Sequence, residues 1–381
     1  MAGTAHPGVA ARPVAGFRSP GVGARGTGSR LITQPVSISV VVPAIDEAGA
    51  LAALLADLQA QQAVALQVII ADGGSDDDTP AVARRHGAEI VHSAAGRGAQ
   101  MNAGAAAARG DWLCFLHADS RLTHPRQLAD AAAHLRNCGT ARVAGHFALR
   151  FVRTTAGRRR FYRHLEAKSA TGRRYTINGD QGLVLPAAFF AELGGFDTRL
   201  PFLEDQRMAA AIERAGAWRL CPHRLATSAR RFEREGERAR YLLMALIMAM
   251  HIVGLDAFFA RAPGVYARQR DTGRLALTPY FRLLRQLWRD CGVRAGLRVG
   301  WRIAGVALTQ SWQLFFAVDV LLEPVLGRGR RLATRLHDRL LWRLIQHPLG
   351  QALLTVCLLF LVFGPLQLWC RLREKSFSSR P

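Results

Sequence analysis

Short apolar runs alternate with helix-forming stretches over the first third of the chain. The apolar runs are bounded by Gly, Pro, Asp or Ser, as buried strands are, and they occupy residues 37–43, 66–71, 89–92 and 113–116. The stretches between them favour helices, at residues 48–62, 79–86 and 96–109. Strands that alternate with helices at this spacing predict βαβ units, and therefore an α/β fold with a mostly parallel sheet.

The pattern is looser after residue 119, although single elements remain recognisable. The expected strands, with their turns and loops, are 143–152, 178–185 and 227–232, and the expected helices are 157–170, 189–193 and 204–215. The organised domain extends over residues 36–262. Residues 1–35 contain no acidic residue and no apolar core of a secretory signal. They are expected to be a disordered leader, or to result from a start site placed too early.

Apolar and basic residues dominate the last third of the chain. Residues 241–260 are apolar enough to cross a membrane, but a helix lying on the membrane or packed on the domain is the favoured interpretation. Residues 263–348 hold 15 Arg against 5 acidic residues. Their arginines recur at helical spacing with leucines between them, for example at Arg294, Arg298 and Arg302. This pattern predicts basic amphipathic helices on an anionic membrane surface, and a solvated charged face is the alternative.

Residues 349–370 form the most apolar segment. The chain carries no charge between Leu349 and Trp369, and basic residues flank this run on both sides. These features predict a transmembrane helix, followed by a short tail at 371–381. A re-entrant or interfacial helix is the alternative, because Gly364-Pro365 interrupts the run.

The formal net charge of +23 suits either nucleic acid or an anionic membrane as a partner. Nucleic acid is disfavoured because the arginines accompany apolar faces and no basic groove with interleaved aromatic residues is visible. The 6 cysteines are scattered without a CxxC pair, which indicates a reduced, cytosolic catalytic part with neither disulfides nor zinc.

Carboxylates follow three of the predicted strands, at Asp46-Glu47, Asp72 and Asp119. The carboxyl ends of parallel strands meet at one edge of a sheet, where α/β folds bind nucleotides. Gly74 would let the backbone approach a ligand closely, and Gly96-Arg97-Gly98 would offer a cation and free N–H groups to phosphate. Asp119 would hold a divalent metal that bridges a diphosphate, or it caps the following turn.

Four segments of this edge resemble family 2 glycosyltransferases, which have the GT-A fold. They are Val40 to Glu47, Asp72-Gly73-Gly74-Ser75-Asp76-Asp77, Gly96 to Gly104, and Phe115-Leu116-His117-Ala118-Asp119-Ser120. Together with Gly179-Asp180-Gln181, Gly194-Gly195-Phe196, Leu203-Glu204-Asp205 and 228–232, they are similar to the bacterial subgroup found beside radical-SAM and selenium-related genes. The resemblance covers roughly residues 36–270 and implies a Rossmann-like, mostly parallel sheet flanked by helices.

The resemblance implies inverting transfer from a nucleotide-diphosphate sugar and a role for each matching residue. Asp205, or else Glu204, would be the base that deprotonates the acceptor hydroxyl, and an acidic helix start is the alternative. The family's Asp-x-Asp metal motif is His117-Ala118-Asp119 here, so Mn²⁺ or Mg²⁺ would rest mainly on Asp119. The remaining donor-site candidates are Pro43, Asp46, Glu47, Asp72, Gly74, Arg97, Gly98, Asn102, Asp180, Gln181, Arg230 and Arg231.

Several of these assignments have a plain structural alternative. His117 is either a metal ligand or a histidine at the sheet edge, and Asp180 and Gln181 either line the site or make a turn. Arg230 and Arg231 either face the diphosphate or lie on the surface.

The sequence therefore predicts a glycosyltransferase whose catalytic domain is cytoplasmic and which is held at a membrane, expected to be the bacterial inner membrane. Its acceptor would be lipid-linked or membrane-bound. The alternative is a non-catalytic nucleotide-sugar sensor or scaffold on the same fold.

Overall fold

An eight-stranded sheet forms the centre of the computed structural model, which describes residues 35–155, 157–199, 202–267, 269, 275–327 and 329–378. The strands are β1 (Val36–Ala44), β2 (Val64–Asp72), β3 (Glu89–His92), β4 (Trp112–Phe115), β5 (Arg121–Leu122), β6 (Val143–Val152), β7 (Leu183–Pro186) and β8 (Ala217–Ser228). Their spatial order is β3-β2-β1-β4-β7-β6-β8-β5. Most of the predicted leader, residues 1–34, lies outside the described residues.

The sheet is mixed and mostly parallel, as predicted. Strands β1 to β4 run parallel, β7 is antiparallel to both β4 and β6, and β8 is parallel to β6. Ala44 and Asp72 are opposite each other at the ends of β1 and β2. The loops that follow β1, β2 and β4 therefore leave the sheet at one edge, here called the carboxyl edge.

Helices cover both faces of this sheet and extend beyond it. They are α1 (Ala48–Gln59), α2 (Thr79–Arg85), α3 (Arg97–Ala106), α4 (Gln127–Arg136), α5 (Arg159–Ser169), α6 (Ala187–Glu192), α7 (Glu204–Ala215), α8 (Arg230–Glu235), α9 (Glu237–Ile252), α10 (Asp256–Ala267), α11 (Thr278–Thr309), α12 (Trp312–Leu326), α13 (Leu332–Leu336), α14 (Trp342–Ile345), α15 (Pro348–Phe363) and α16 (Pro365–Ser378). Gly292 interrupts α11 with a φ of 76°.

Two apolar layers enclose the sheet because its side chains alternate between the faces. Val40 and Val42 pack with the leucines of α1, whereas Val41 between them packs with Met101 on the opposite face. Continuous apolar runs such as β1 are required where helices bury both faces of a strand.

The last long strand begins ten residues earlier than the predicted segment 227–232. Strand β8 occupies Ala217–Ser228, and the residues from Arg230 onward are helical. Polar residues and Pro222 hide this strand in the sequence, because Pro cannot donate to a sheet ladder. The register to β6 also shifts between His146 and Ala148, where His223 adopts a left-handed φ of 67°.

The apolar segment 241–260 is two helices, α9 and α10, which separate at Gly254 with a φ of 66°. Met250, Phe258 and Phe259 are buried in a third apolar cluster that also includes residues of α11 and Cys370. Phe202 packs on Phe259 with ring centroids 5.4 Å apart. The carboxyl-terminal helices therefore pack beside the segment that leads into α7, and the predicted boundary at 262/263 falls inside α10.

Candidate active site

Gln100 fastens the start of α3 over the carboxyl edge. Its side-chain amide donates to the backbone oxygens of Ala44 at 2.8 Å and Ala71 at 2.9 Å. These carbonyls lie at the ends of β1 and β2, and the Ala44 oxygen also accepts from the Gly73 amide at 3.1 Å. Gln100 was not among the predicted site residues, although it lies within the glycine-rich segment that resembles the family.

The loop after β2 is shaped by Asp72, which is almost fully buried. Its carboxylate accepts hydrogen bonds from the Ser75 amide at 3.1 Å and the Ser75 hydroxyl at 2.6 Å. Burial raises the pKa of Asp72, but the hydrogen bonds from Ser75, Gly74 and His92 outweigh it, and the pKa lies below its usual value. Gly74 has a φ of 92°, which favours glycine at this position.

Arg230 joins the end of β8 to the loop after β1. Its terminal nitrogen donates to both carboxylate oxygens of Glu47 at 2.8 Å. This hydrogen bond is the main reason that the pKa of Arg230 is raised, and the charges of Glu47 and Asp119 add to it. The neighbouring Asp46 accepts from the Asp76 amide at 2.9 Å and has a φ of 53°. The carboxyl edge therefore brings together residues far apart in sequence.

Asp119 lies at the centre of this edge, two residues after His117. Burial raises the pKa of Asp119, the negative charge of Asp180 raises it further, and His117 and Arg230 oppose these effects. The Nδ1 atom of His117 is 2.9 Å from an Asp180 oxygen. Although desolvation opposes it, this hydrogen bond and the charges of His117, Arg97 and Arg231 hold the pKa of Asp180 well below its usual range.

The donor set around Asp119 fits a hard divalent cation. Asp119, Asp180 and Glu47 interact electrostatically as three carboxylates. Burial is the main cause of the raised pKa of Asp119, and the charges of the other two carboxylates add to it. Mg²⁺ and Mn²⁺ prefer such oxygen ligands. The fit is less good for His117, because Asp180 engages its Nδ1 atom and its Nε2 atom faces Gly179.

A second group of metal-ligand side chains lies elsewhere in the described part of the chain. His124, Asp130 and His223 offer ligand atoms within 4.8 Å of one another. Gln61, just past the end of α1, donates to the backbone of His124 at 2.9 Å. The group therefore lies beside the end of α1 and includes a residue of β8. Asp130 already pairs with His223 at 2.8 Å and with Arg126 at 3.5 Å.

Glu204 and Asp205 form the first turn of α7. A Cβ atom on Gly98 would lie 3.4 Å from the Glu204 Cβ atom, so glycine allows α3 and α7 to approach closely. Arg97 then lies 3.7 Å from Glu204. Burial raises the pKa of Glu204, and the charge of Asp205 raises it further. Two negative charges at a helix start are also favoured by the helix dipole.

Asp205 is more accessible than Glu204 and is held by the backbone. One of its oxygens accepts from the Gly179 amide at 2.8 Å, and the other accepts from the Gln206 amide at 2.8 Å. A small cavity of about 30 Å³ lies beside it, lined by Arg97, His117 and Glu204 among polar residues and by Met101, Phe115 and Trp218 among apolar ones. The carboxylate of Asp205 is therefore pre-oriented next to a partly apolar recess.

The structure gathers most of the predicted residues at the carboxyl edge. Asn102 and Gln181 are the exceptions. Both polar atoms of Asn102 bond to the Phe196 backbone at 2.8 Å. Gln181 is fully buried, where it donates to the Thr176 carbonyl and contacts His146. Both side chains connect parts of the domain, so their amide groups are already occupied. Pro43 lies within β1, opposite Ala71.

Residues 39–189, about two fifths of the chain, match the family model described as glycosyl transferase family 2. The match supports the resemblance to family 2 glycosyltransferases over this segment. With the strand order, it confirms the GT-A fold. The family match supports sugar transfer as the chemistry of this domain. No curated protein matches the chain.

Several solved structures are similar to this chain at low identity. TarS 1–349 from S. aureus is 14% identical, with 75% of this chain and 89% of that chain covered and a TM-score of 0.44. The mannosyltransferase PcManGT from Pyrobaculum calidifontis, in complex with GDP-Man and Mn²⁺, is 18% identical, with 84% and 86% covered and a TM-score of 0.44. Glucosyl-3-phosphoglycerate synthase from Mycobacterium tuberculosis is 22% identical, with 50% and 72% covered and a TM-score of 0.35. The fold assignment rests on the strand order and the family match rather than on these scores.

Proposed function

We propose that the protein is an inverting glycosyltransferase, which moves a sugar from a nucleotide-diphosphate sugar to an acceptor hydroxyl at the cytosolic face of a membrane. The supporting observation is the clustering of Glu47–Arg230, His117–Asp180, Asp119 and Glu204–Asp205 at one sheet edge. This edge belongs to a domain whose first 150 or so residues match glycosyl transferase family 2.

The donor would lie across the loops that follow β1 and β2, with its diphosphate between Arg97 and Arg230. Arg97 and Gly98 are at the start of α3, where free N–H groups and the helix dipole favour anions. Arg230 is half exposed and paired with Glu47. A bound diphosphate would compete with Glu47 for this guanidinium, and Arg231 would add further positive charge.

A divalent cation, when bound on Asp119, would supply positive charge for the departing diphosphate. His117 is better placed to orient Asp180 than to ligate that cation, because the hydrogen bond between them uses Nδ1. In an inverting transfer, one carboxylate accepts the proton of the acceptor hydroxyl while the nucleotide leaves on the opposite side. Asp205 suits this role because it is accessible, and its two backbone hydrogen bonds fix the orientation of the carboxylate.

Glu204 is the second candidate for the base. Burial and the charge of Asp205 raise its pKa, which makes it a stronger base, but the side chain is only 5% exposed and faces Arg97. An acceptor would reach Asp205 more easily. Substitutions at Asp205 and Glu204 separate the two possibilities, because a variant that lacks the true base should lose turnover and keep donor binding.

Membrane association is supported by apolar stripes on the carboxyl-terminal helices. Leu349, Leu353, Val356 and Phe360 are all at least 65% exposed along one face of α15. On α11, Val293, Leu297 and Trp301 are exposed next to the exposed Arg294, Arg298 and Arg302. Basic residues beside an apolar stripe are typical of helices at anionic membranes.

Two stretches are long and apolar enough to cross a membrane by composition, Thr278–Leu326 and Pro348–Leu372. Such stretches are weak evidence on their own, since buried core helices also pass this test. Here, however, few of their residues are buried inside the protein. Residues of α11 and α16 share an apolar cluster with Phe202 and Leu203, which lie just before Glu204. An acceptor embedded in the membrane would be close to Asp205.

Donor binding and turnover together test the enzymatic half of the proposal. The full chain would be screened with UDP-, GDP- and dTDP-sugars, with Mn²⁺ or Mg²⁺, for a rise in melting temperature caused by mass action. With the donor identified, Asp205→Asn should keep this rise and lose sugar transfer or donor hydrolysis by about 100-fold or more. Glu204→Gln is the matched control. A sensor or scaffold would bind a donor, show no turnover, and respond little to either substitution.

Flotation on vesicles tests the membrane half separately. The full chain should float with vesicles that contain phosphatidylglycerol, and Leu353→Glu with Phe360→Glu should reduce flotation. Glu substitutions at Arg84 and Arg85, which lie on α2 away from the apolar helices, are the control. Recovery of all variants in the soluble fraction, together with full transfer to a soluble acceptor, would refute the membrane placement and leave the enzymatic half intact.

A further inference from the structure

A cavity of about 720 Å³ opens beside the end of β6, away from the catalytic carboxylates. It lies between that strand, helix α5 and the last turns of α12. Its lining consists of Arg150, Phe151, Arg153, Arg159, Tyr162, Arg163, Glu166, Arg224, Glu323 and Pro324. The size is within the range of small-molecule sites.

The lining is strongly basic, with five arginines against two glutamates. Both glutamates are occupied: Glu323 pairs with Arg163 at 2.9 Å, and Glu166 accepts from the Phe151 amide at 2.8 Å. Among the residues that the structure describes, Arg150 and Arg159 have no carboxylate partner. A concave surface with an excess of guanidinium groups favours a ligand that carries phosphate, which arginine can bind with two parallel hydrogen bonds.

Tyr162 provides a second, independent indication of a ligand. Only 2% of the surface of this residue is accessible, and it lines the cavity. Its hydroxyl has no hydrogen-bond partner within the described part of the chain. Native proteins rarely leave a buried hydroxyl unsatisfied, because it loses its bonds to water without replacement. An oxygen atom of a bound anion would satisfy it. Arg153, whose guanidinium lies 5.4 Å from the centre of the Tyr162 ring, is beside it.

Exposed apolar residues next to Pro324 favour one class of phosphate compound. Pro324 lines the cavity, and its neighbours on α12 are exposed apolar residues: Leu321 at 55%, Leu322 at 43% and Val325 at 82%. A free phosphate or nucleotide would gain nothing from these apolar side chains. A phospholipid would place its head group among the arginines and its acyl chains along the leucines.

We propose that this arginine-lined cavity binds the phosphate head group of an anionic phospholipid, with the acyl chains against the end of α12. It is a separate site from the donor cleft, although the two are neighbours: the Ala229 amide, just before Arg230, donates to the Val152 carbonyl at 2.8 Å. The inference rests on the membrane placement in the proposed function and is independent of the sugar-transfer chemistry.

Binding of short-chain lipids to the full chain in a non-ionic detergent tests this site. Titration calorimetry would compare dioctanoyl-phosphatidylglycerol, dioctanoyl-phosphatidylcholine and glycerol 3-phosphate. The phosphatidylglycerol should bind saturably, and the other two should bind at least about tenfold more weakly, because one lacks net charge and the other lacks apolar chains. Equal affinity for glycerol 3-phosphate would overturn the lipid assignment in favour of a soluble phosphate compound.

Three variants locate the binding. Arg150→Gln with Arg159→Gln should weaken phosphatidylglycerol binding by at least about tenfold, since each removes a charge-assisted contact and leaves no carboxylate unpaired. Tyr162→Phe should weaken binding while leaving the melting temperature of the free protein unchanged or higher, because its hydroxyl has no partner to lose. The control, Arg294→Gln with Arg298→Gln, removes equal charge from α11. If the control and the pocket variants behave alike, the proposal is wrong.

The two proposals can fail separately. Saturable lipid binding that depends on Arg150 and Arg159 would support this site even in a protein that transfers no sugar. Loss of flotation on vesicles would remove the membrane placement, but the calorimetry in detergent would still report whether the cavity holds the head group.

Discussion

Gly179 is where a single methyl group would test the arrangement of the active site. The residue opens the 3₁₀ turn Gly179–Gln181, and its amide donates to Asp205. A Cβ atom there would lie 3.0 Å from Nε2 and 3.2 Å from Cε1 of His117, and 3.6 Å from the Cβ atom of Asp205. Gly179→Ala therefore inserts a methyl group between the histidine and the proposed base.

The expected size of the effect follows from these distances. Comfortable contacts between carbon atoms begin at roughly 3.5 Å, so the His117 ring must move by about half an ångström. Overpacking costs about 1–3 kcal/mol of stability, and the lower value applies because His117 is partly exposed and can turn. Catalysis is more sensitive, since a misplacement of about 1 Å can cost about 100-fold in rate. We expect kcat/KM to fall by at least about tenfold.

The assay compares the melting temperature and kcat/KM of this variant with those of Gly264→Ala. Gly264 lies within α10, and a Cβ atom added there would have no neighbouring atom within 4 Å, so alanine should stabilise the helix by roughly 0.5–1 kcal/mol. That control should leave kcat/KM unchanged. A Gly179→Ala enzyme with wild-type kcat/KM would refute the placement of His117 and Asp205 in one catalytic unit.

Three further predictions concern charge at and near the site. Asp119→Ala should abolish the part of donor-induced thermal stabilisation that depends on Mn²⁺ or Mg²⁺. It should not destabilise the free protein at neutral pH, because it removes a carboxylate whose pKa is raised by burial and by Asp180. An unchanged metal dependence of the stabilisation would contradict this prediction. Arg230→Gln should raise the KM for the donor by about tenfold, which a donor titration of the transfer rate checks. It should alter stability little, because the half-exposed pair with Glu47 is worth about 1 kcal/mol or less, and the melting temperature checks this. Burial lowers the pKa of His146 to about 4, whereas a histidine in the unfolded chain has a pKa of roughly 6.5, so the unfolded chain binds the proton more tightly. The free energy of unfolding should therefore fall by about 1.4 kcal/mol per pH unit as the pH falls from about 6.5 to about 4. His146→Gln should flatten this dependence of the free energy of unfolding on pH in denaturant titrations, and an unchanged slope would show that His146 is not the group responsible.

Local patterns were sufficient for the four parallel strands β1 to β4 and for the positions of the loops that follow them. Val40, Val41 and Val42 read as a buried strand, and in the structure they alternate between two apolar layers because strand side chains repeat every two residues. Asp72 ends strand β2, and Asp119 lies four residues after the end of β4. Their meeting at one edge follows from the parallel βαβ topology, which short-range spacing already indicates.

Local patterns failed where polar residues and a proline interrupt a strand, and at segments whose bonding depends on distant partners. Strand β8 carries Pro222 and a bulge opposite β6, so no period of two is visible before residue 227. Asn102 resembles a donor ligand in sequence, yet both of its polar atoms satisfy the Phe196 backbone, 94 residues away.

The sequence by itself determined the α/β class, the loops that carry carboxylates and glycines, and the basic, apolar character of the last third. The tertiary structure alone decided which charges face each other. His117 pairs with Asp180 and Arg230 pairs with Glu47 across 63 and 183 residues. It also placed Arg150 and Arg159, which have no carboxylate partner among the described residues, in the lining of one cavity. The physical reason is that backbone periodicity is a local property, whereas the energy of a charge depends on every neighbour within a few ångströms, whatever its distance along the chain.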